Sequence, residues 1–153
     1  MDSFNLKLKL DLDGLDKLKR GTALPEFEKA MEVGAIQFLT WCNTGAGGSR
    51  SPAKPPIMWG VLRGSSSAFV NGKYVGAFKQ NIGSGAPEKP TPNKSYKGKG
   101  IVVGWNTVYA ARMHEDDYVP QRDGGPKWIE EHIKADKDLL METIAEELGK
   151  TLL

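Results

Sequence analysis

A single cysteine, Cys42, is all the chain has for thiol chemistry, so no disulfide forms within it and nothing ties it to an oxidising compartment. The thiol is expected to stay reduced. Long apolar runs are missing as well. No stretch approaches the roughly 18 residues of a membrane span, and Met1 to Leu12 lacks the unbroken apolar core of a secretion signal. Folding in a cytoplasm, with no membrane partner, is the expectation. The spacings that chemistry demands are absent too: no His-Glu-x-x-His, no Gly-x-Ser-x-Gly and no Gly-x-x-x-x-Gly-Lys-Ser/Thr occurs. His114-Glu115-Asp116-Asp117 and Glu131-His132 set imidazoles beside carboxylates, but with only two histidines in the chain a solvated acidic segment accounts for them without a metal. Cys42 falls in an apolar helical pattern, and Gly45-Ala46-Gly47-Gly48 is followed by no lysine, so flexible linkage explains it better than phosphate binding. No catalytic residue, metal or cofactor is expected, and the chain is read as not an enzyme.

What is present is an ordinary globular composition with an uneven distribution of charge. At 153 residues, with 39% hydrophobic and 26% charged residues, one domain spanning 1–153 with a real core is expected. The net charge is +2. Thr44 to Arg112, however, holds ten basic residues and one acid, Glu88, for +9, whereas Met113 onward carries −6 and the first 43 residues −1. Opposite patches on one chain steer its own copies into head-to-tail contact. A nucleic-acid site is the competing explanation, since lysines neutralise phosphates without reading sequence and Tyr96 among them offers a ring for a base.

The order of elements predicts an α+β domain, a small and mostly antiparallel sheet packed by helices. Asn5 to Asp13 alternates Leu6, Leu8, Leu10 and Leu12 with polar residues, the period of a half-buried strand. Asp13 to Arg20 reads as a short helix stopped by Gly21. Pro25 opens a longer one over about 24–43, with Leu24, Phe27, Met31, Ala35, Phe38 and Cys42 at three- and four-residue spacing. Asn71-Gly72 between Ser65–Val70 and Lys73–Phe78 is the dipeptide best suited to the two positive-φ positions of a type I′ turn, and predicts a β-hairpin. Ile101 to Trp105 suits a buried strand, Thr107 to Glu115 a helix, and a closing helix is expected over about 126–148. Two glycine- and proline-rich stretches, about 45–57 and 83–100, are expected to be flexible loops. Trp105 and Trp128 are expected in the core, whereas Trp59, in the proline-rich approach to the hairpin, is an interface candidate.

A sequence of short motifs joins these elements: Gly60-Val61-Leu62-Arg63-Gly64-Ser65, the hairpin, Tyr109-Ala110-Ala111-Arg112-Met113-His114-Glu115, then Gly125-Pro126-Lys127-Trp128 and the closing helix. In order and spacing, from about Asp13 onward, this resembles the tail-completion and neck proteins of long-tailed bacteriophages. Trp59 stands where a small threonine usually precedes the glycine, and Asp116-Asp117 where an aromatic-Gly-Thr turn often follows the glutamate. The resemblance implies a virion structural protein without catalytic residues. It implies an oligomeric ring, typically a hexamer, at the head–tail junction, assembled in the host cytoplasm between a head connector or adaptor and the tail tube or tail terminator. Interface candidates are Trp59, Arg63, Lys89, Lys94, Tyr96, Lys97, Lys99, Glu115, Asp116 and Asp117. The alternatives are a small DNA-binding module using the lysine-rich 83–100 loop, and a tail terminator or minor capsid component.

Overall fold

A computed structural model describes residues 5–10, 24–56, 60–115 and 124–152. The elements run β1 (Asn5–Leu10), α1 (Leu24–Thr44), the single turn α2 (Val61–Gly64), β2 (Ser66–Val70), β3 (Lys73–Ala77), β4 (Ile101–Asn106), α3 (Ala110–Glu115) and α4 (Trp128–Leu152). The four strands form one sheet in the order β1-β4-β2-β3, every neighbouring pair antiparallel. This is the expected α+β architecture. The short helix expected at Asp13 to Arg20 lies outside the described residues, as do Trp59, Asp116 and Asp117.

The hairpin forms where the turn dipeptide sits, with Asn71 at φ 50° and Gly72 at φ 82°. Phe69 stands opposite Tyr74 and Ala68 opposite Gly76, leaving Val75 as the extra residue of a bulge. Period-two logic then assigns the two faces of the sheet. Ala68, Val70, Ile101, Val103 and Trp105 join the core shared with α1 and α4, and Leu10, Leu8 and Leu6 stand opposite the last three in register. Ser67, Phe69, Val102 and Asn106 belong to the other face. Yet every residue of β2 is buried, so that face is covered as well.

Its cover is the 79–100 segment. Tyr96 packs on Phe69 at 5.9 Å between ring centroids, Ser67 Oγ donates to Asn93 O at 2.7 Å, and Asn106 Nδ2 donates to Thr91 O at 2.7 Å. The stretch holds no helix or strand, as its prolines and glycines predict, but it is laid across the sheet and anchored there. The 45–56 segment is likewise bonded down rather than free.

On the opposite side, α1 lies against β2, β3 and β4, and α4 lies against α1. Burial of Phe27, Met31, Ala35, Phe38 and Cys42 follows the predicted stripe, to which Trp41 and Leu39 are added. The helices meet closely at Gly34, where a Cβ would fall 2.6 Å from Ile144 Cγ1. Helix α1 ends at Gly45, whose φ of 60° and N–H bond of 2.8 Å to Trp41 O form a left-handed stop. Helix α4 starts at Trp128, two residues later than expected, because Lys127 takes φ 60° and donates its N–H to His114 O at 2.8 Å. Trp105 and Trp128 are fully buried and meet edge to face at 5.9 Å. No described helix is long and apolar enough to cross a membrane.

Candidate interaction surface

The predicted interface residues separate into two kinds. Lys89, Lys94, Lys97 and Lys99 are exposed on the segment that covers the sheet, with Lys79 beside them and Glu88 the one acid of that stretch. Tyr96 is half-buried, its ring set against Phe69. Arg63 differs from expectation. It is 7% exposed, and its Nε and Nη2 both donate to Pro55 O, at 2.9 and 2.7 Å, so the guanidinium fastens the 45–56 segment to the turn before β2. The turn that carries it is opened by Gly60 at φ 89°, and composition does not reveal that a backbone carbonyl meets the guanidinium.

Glu115 is exposed but engaged. It bonds to Lys127 Nζ and lies 2.7 Å from His114 Nδ1. His114 Nε2 accepts the Ile129 N–H at 3.3 Å, which places the ring proton on Nδ1, facing Glu115. The Tyr-Ala and Gly-Pro-Lys-Trp motifs are therefore two halves of one joint between α3 and α4. The Lys127 and His114 hydrogen bonds hold the Glu115 carboxyl below its usual range, and burial holds His114 below its own. His114, lowered in the fold, stabilises the native state above the ordinary histidine value of about 6.5, and that stability is lost as pH falls through its folded value. Urea midpoints are expected to be level above pH 6.5 and to decline below it, and His114→Gln is expected to flatten that decline.

A second polar cluster joins His132 to residues far from it in sequence. His132 and Asp136, one turn apart on α4 and both fully buried, meet Nδ1 to Oδ2 at 2.6 Å. Ser49 Oγ donates to Asp136 Oδ2 at 2.6 Å and lies 3.1 Å from His132 Nδ1; Arg50 N–H donates to Asp136 Oδ1 at 2.7 Å. A serine, a histidine and an aspartate together invite comparison with a hydrolase, but the wiring differs. In a triad the serine and the carboxylate take opposite ring nitrogens. Here both crowd Nδ1, while Nε2 is held by Ala53 O at 2.5 Å. The imidazole has no free nitrogen with which to accept a proton, so the cluster clamps the 49–53 segment onto α4. The Glu131-His132 pair of the sequence thus resolves into a buried clamp, and among the described residues no group of three metal-ligating side chains occurs. Cys42 is buried, and burial with the nearby Asp136 carboxylate pushes its thiol well up, which leaves it unreactive.

The remaining feature is electrostatic. On α4 the acids Glu130, Glu131, Asp138, Glu142 and Glu146 are exposed, against Lys134, Lys137 and Lys150, and α1 adds Glu26, Glu28 and Glu32 against Lys29. Among the described residues the helical side of the sheet is acidic and the loop side is basic. The segregation along the chain has become a segregation across the fold, with the two charged layers back to back. A scan against protein-family models, the curated proteins and the solved structures found no match.

Proposed function

We propose that the chain is a structural subunit of a bacteriophage particle, forming a ring of identical copies at the head–tail junction. The observation that carries the reading is the opposition of the lysine-bearing loop layer to the acidic helical layer. Copies joined side by side keep those layers apart, so the assembled ring has one basic and one acidic face. Two unlike faces suit a part placed between two unlike neighbours, the head connector or adaptor and the tail tube or terminator. The order and spacing of motifs that resemble the tail-completion and neck proteins support the same reading, with a hexamer as the copy number that the resemblance implies.

The exposed Lys79, Lys89, Lys94, Lys97 and Lys99 also favour a second reading, non-specific contact with DNA. Mass measured in solution across a salt series separates the two. The ring is expected to keep a fixed multiple of the chain mass as salt rises, because an apolar contact is little screened. A protein whose duplex affinity falls steeply with salt while its mass stays that of one chain, alone and beside phage components, would be the DNA module instead. Replacing Lys89, Lys94, Lys97 and Lys99 with Gln is expected to leave the mass unchanged and to stop heads and tails from joining.

A further inference from the structure

The two outer strands of the sheet differ from its inner ones in having backbone hydrogen-bonding groups to spare. Among the described residues, β3 pairs only with β2 and β1 only with β4. Soluble proteins guard such an edge with proline, a central lysine or a covering segment. In Tyr74-Val75-Gly76-Ala77 there is neither proline nor charge, and Lys73, at the turn, is drawn aside to Glu32 at 2.9 Å. Apolar surface lies along this edge. Val33 and Ile36 of α1 are 44% and 36% exposed, two of the four large hydrophobics so exposed among the described residues. Ile36 overhangs β3, its Cδ1 lying 3.1 Å from where a Cβ on Gly76 would be.

We infer that the β3 edge is the docking site for β1 of a second copy of this chain, so that one antiparallel sheet continues from subunit to subunit. The inference rests on the ring reading above and names the contact that closes it. Strand direction is the first argument. Directions alternate across β1, β4, β2 and β3, so the outer two run opposite ways, and β1 of a neighbour laid beside β3 in the same orientation continues the alternation. Register is the second. Lys9, Val102, Phe69 and Tyr74 lie on one cross-strand row, whereas the next row, Leu8, Val103 and Ala68, meets Gly76 only across the bulge at Val75, so the row through Lys9 and Tyr74 is the one on which a neighbour's β1 is placed. Apolar matching is the third. Leu8 and Leu10 occupy the register positions opposite the core residues Val103 and Ile101, and Ile36 stands exposed over β3 with Val33 exposed one helical turn before it. The bulge at Val75 strengthens local twist, which a sheet curving around a ring requires. A heterologous contact of this kind closes into a ring when its rotation divides the circle.

The test is a pair of cysteines on the shared row. Lys9→Cys with Tyr74→Cys, assembled under reducing conditions and then oxidised, is expected to give a ladder of covalent multimers ending at the copy number of the ring. Each single variant is expected to remain one chain on the gel, the native Cys42 being buried. A covalent dimer from Tyr74→Cys alone would show β3 pairing with itself and overturn the proposal. Full-mass rings that yield no ladder would also overturn it, while leaving the ring reading intact; unmodified protein that never exceeds one chain sinks both. Ile36→Lys, at an exposed position, is expected to keep the circular dichroism of the fold and lower the assembled fraction at least tenfold, and unchanged assembly would count against the edge contact.

Discussion

Replacing Asp136 with alanine is expected to lower the unfolding free energy by about 3–5 kcal/mol, since each buried donor left without its acceptor costs roughly 1–3 kcal/mol. The carboxylate accepts from His132 Nδ1, Ser49 Oγ and the Arg50 N–H, and both His132 and Asp136 side chains are fully buried. Alanine removes the acceptor for all three at once and puts nothing in its place. Water cannot compensate without opening the segment that Ala53 O and Arg63 hold against the body. Ser49→Ala, by contrast, removes one hydroxyl and leaves the His132–Asp136 contact in place, for about 1 kcal/mol. Urea titrations should show the midpoint moving with an unchanged slope. A loss for Asp136→Ala as small as that for Ser49→Ala would mean that the clamp is not what holds the 49–53 segment.

The contrast between the clamp and the hairpin shows which parts of the fold are legible in sequence. Asn71-Gly72 encodes its turn within two residues, and the stripe from Phe27 to Cys42 encodes the buried face of α1 in a period that needs no partner to be read. The all-antiparallel sheet, the core tryptophans and both long helices follow from local patterns of this kind. The clamp joins Ser49 and Arg50 to His132 and Asp136, more than eighty positions away. Neither half has a local signature. Ser49 sits in a loop composition, and His132 stands next to Glu131, the wrong acid, since the partner is the one at four-residue spacing on the same helical face. Asn43 is a similar case. It reads as the end of a helix, yet its side chain accepts from Trp105 Nε1 at 3.0 Å and donates to Ser66 Oγ at 2.9 Å, tying α1 to two strands.

The candidate surface was legible in part. The lysines of 89–99 are exposed as their composition suggests, whereas Arg63, equally basic, is buried because a backbone carbonyl awaits it. Charge counting cannot separate those outcomes; only the fold distinguishes a cation that faces water from one that fastens a loop. The acidic and basic blocks of the sequence did foretell two charged surfaces. That they lie back to back follows from the covering of the sheet's second face by 79–100, which no periodicity records.

Deleting Gly85 to Lys97 is therefore expected to damage the fold itself, contrary to what a flexible loop predicts. A free loop of this length can be shortened at little cost, since closure entropy changes only slowly with length. This one shields Phe69 and Val102, each 1% exposed, and supplies Tyr96 and the carbonyls that Ser67 and Asn106 use. Uncovering the two apolar side chains alone costs about 3–6 kcal/mol at roughly 1.5–3 kcal/mol each, before the lost hydrogen bonds are counted. The deleted protein should unfold at markedly lower urea or be recovered insoluble. The four-lysine replacement by Gln keeps the same backbone cover and should unfold near the midpoint of the unaltered chain. That difference matters for any joining assay, because failure of the deletion variant reports a damaged subunit, while failure of the Gln variant reports the surface. Should the deletion variant unfold at the unaltered midpoint, the sheet's second face does not depend on this segment, and the basic layer is a free arm after all.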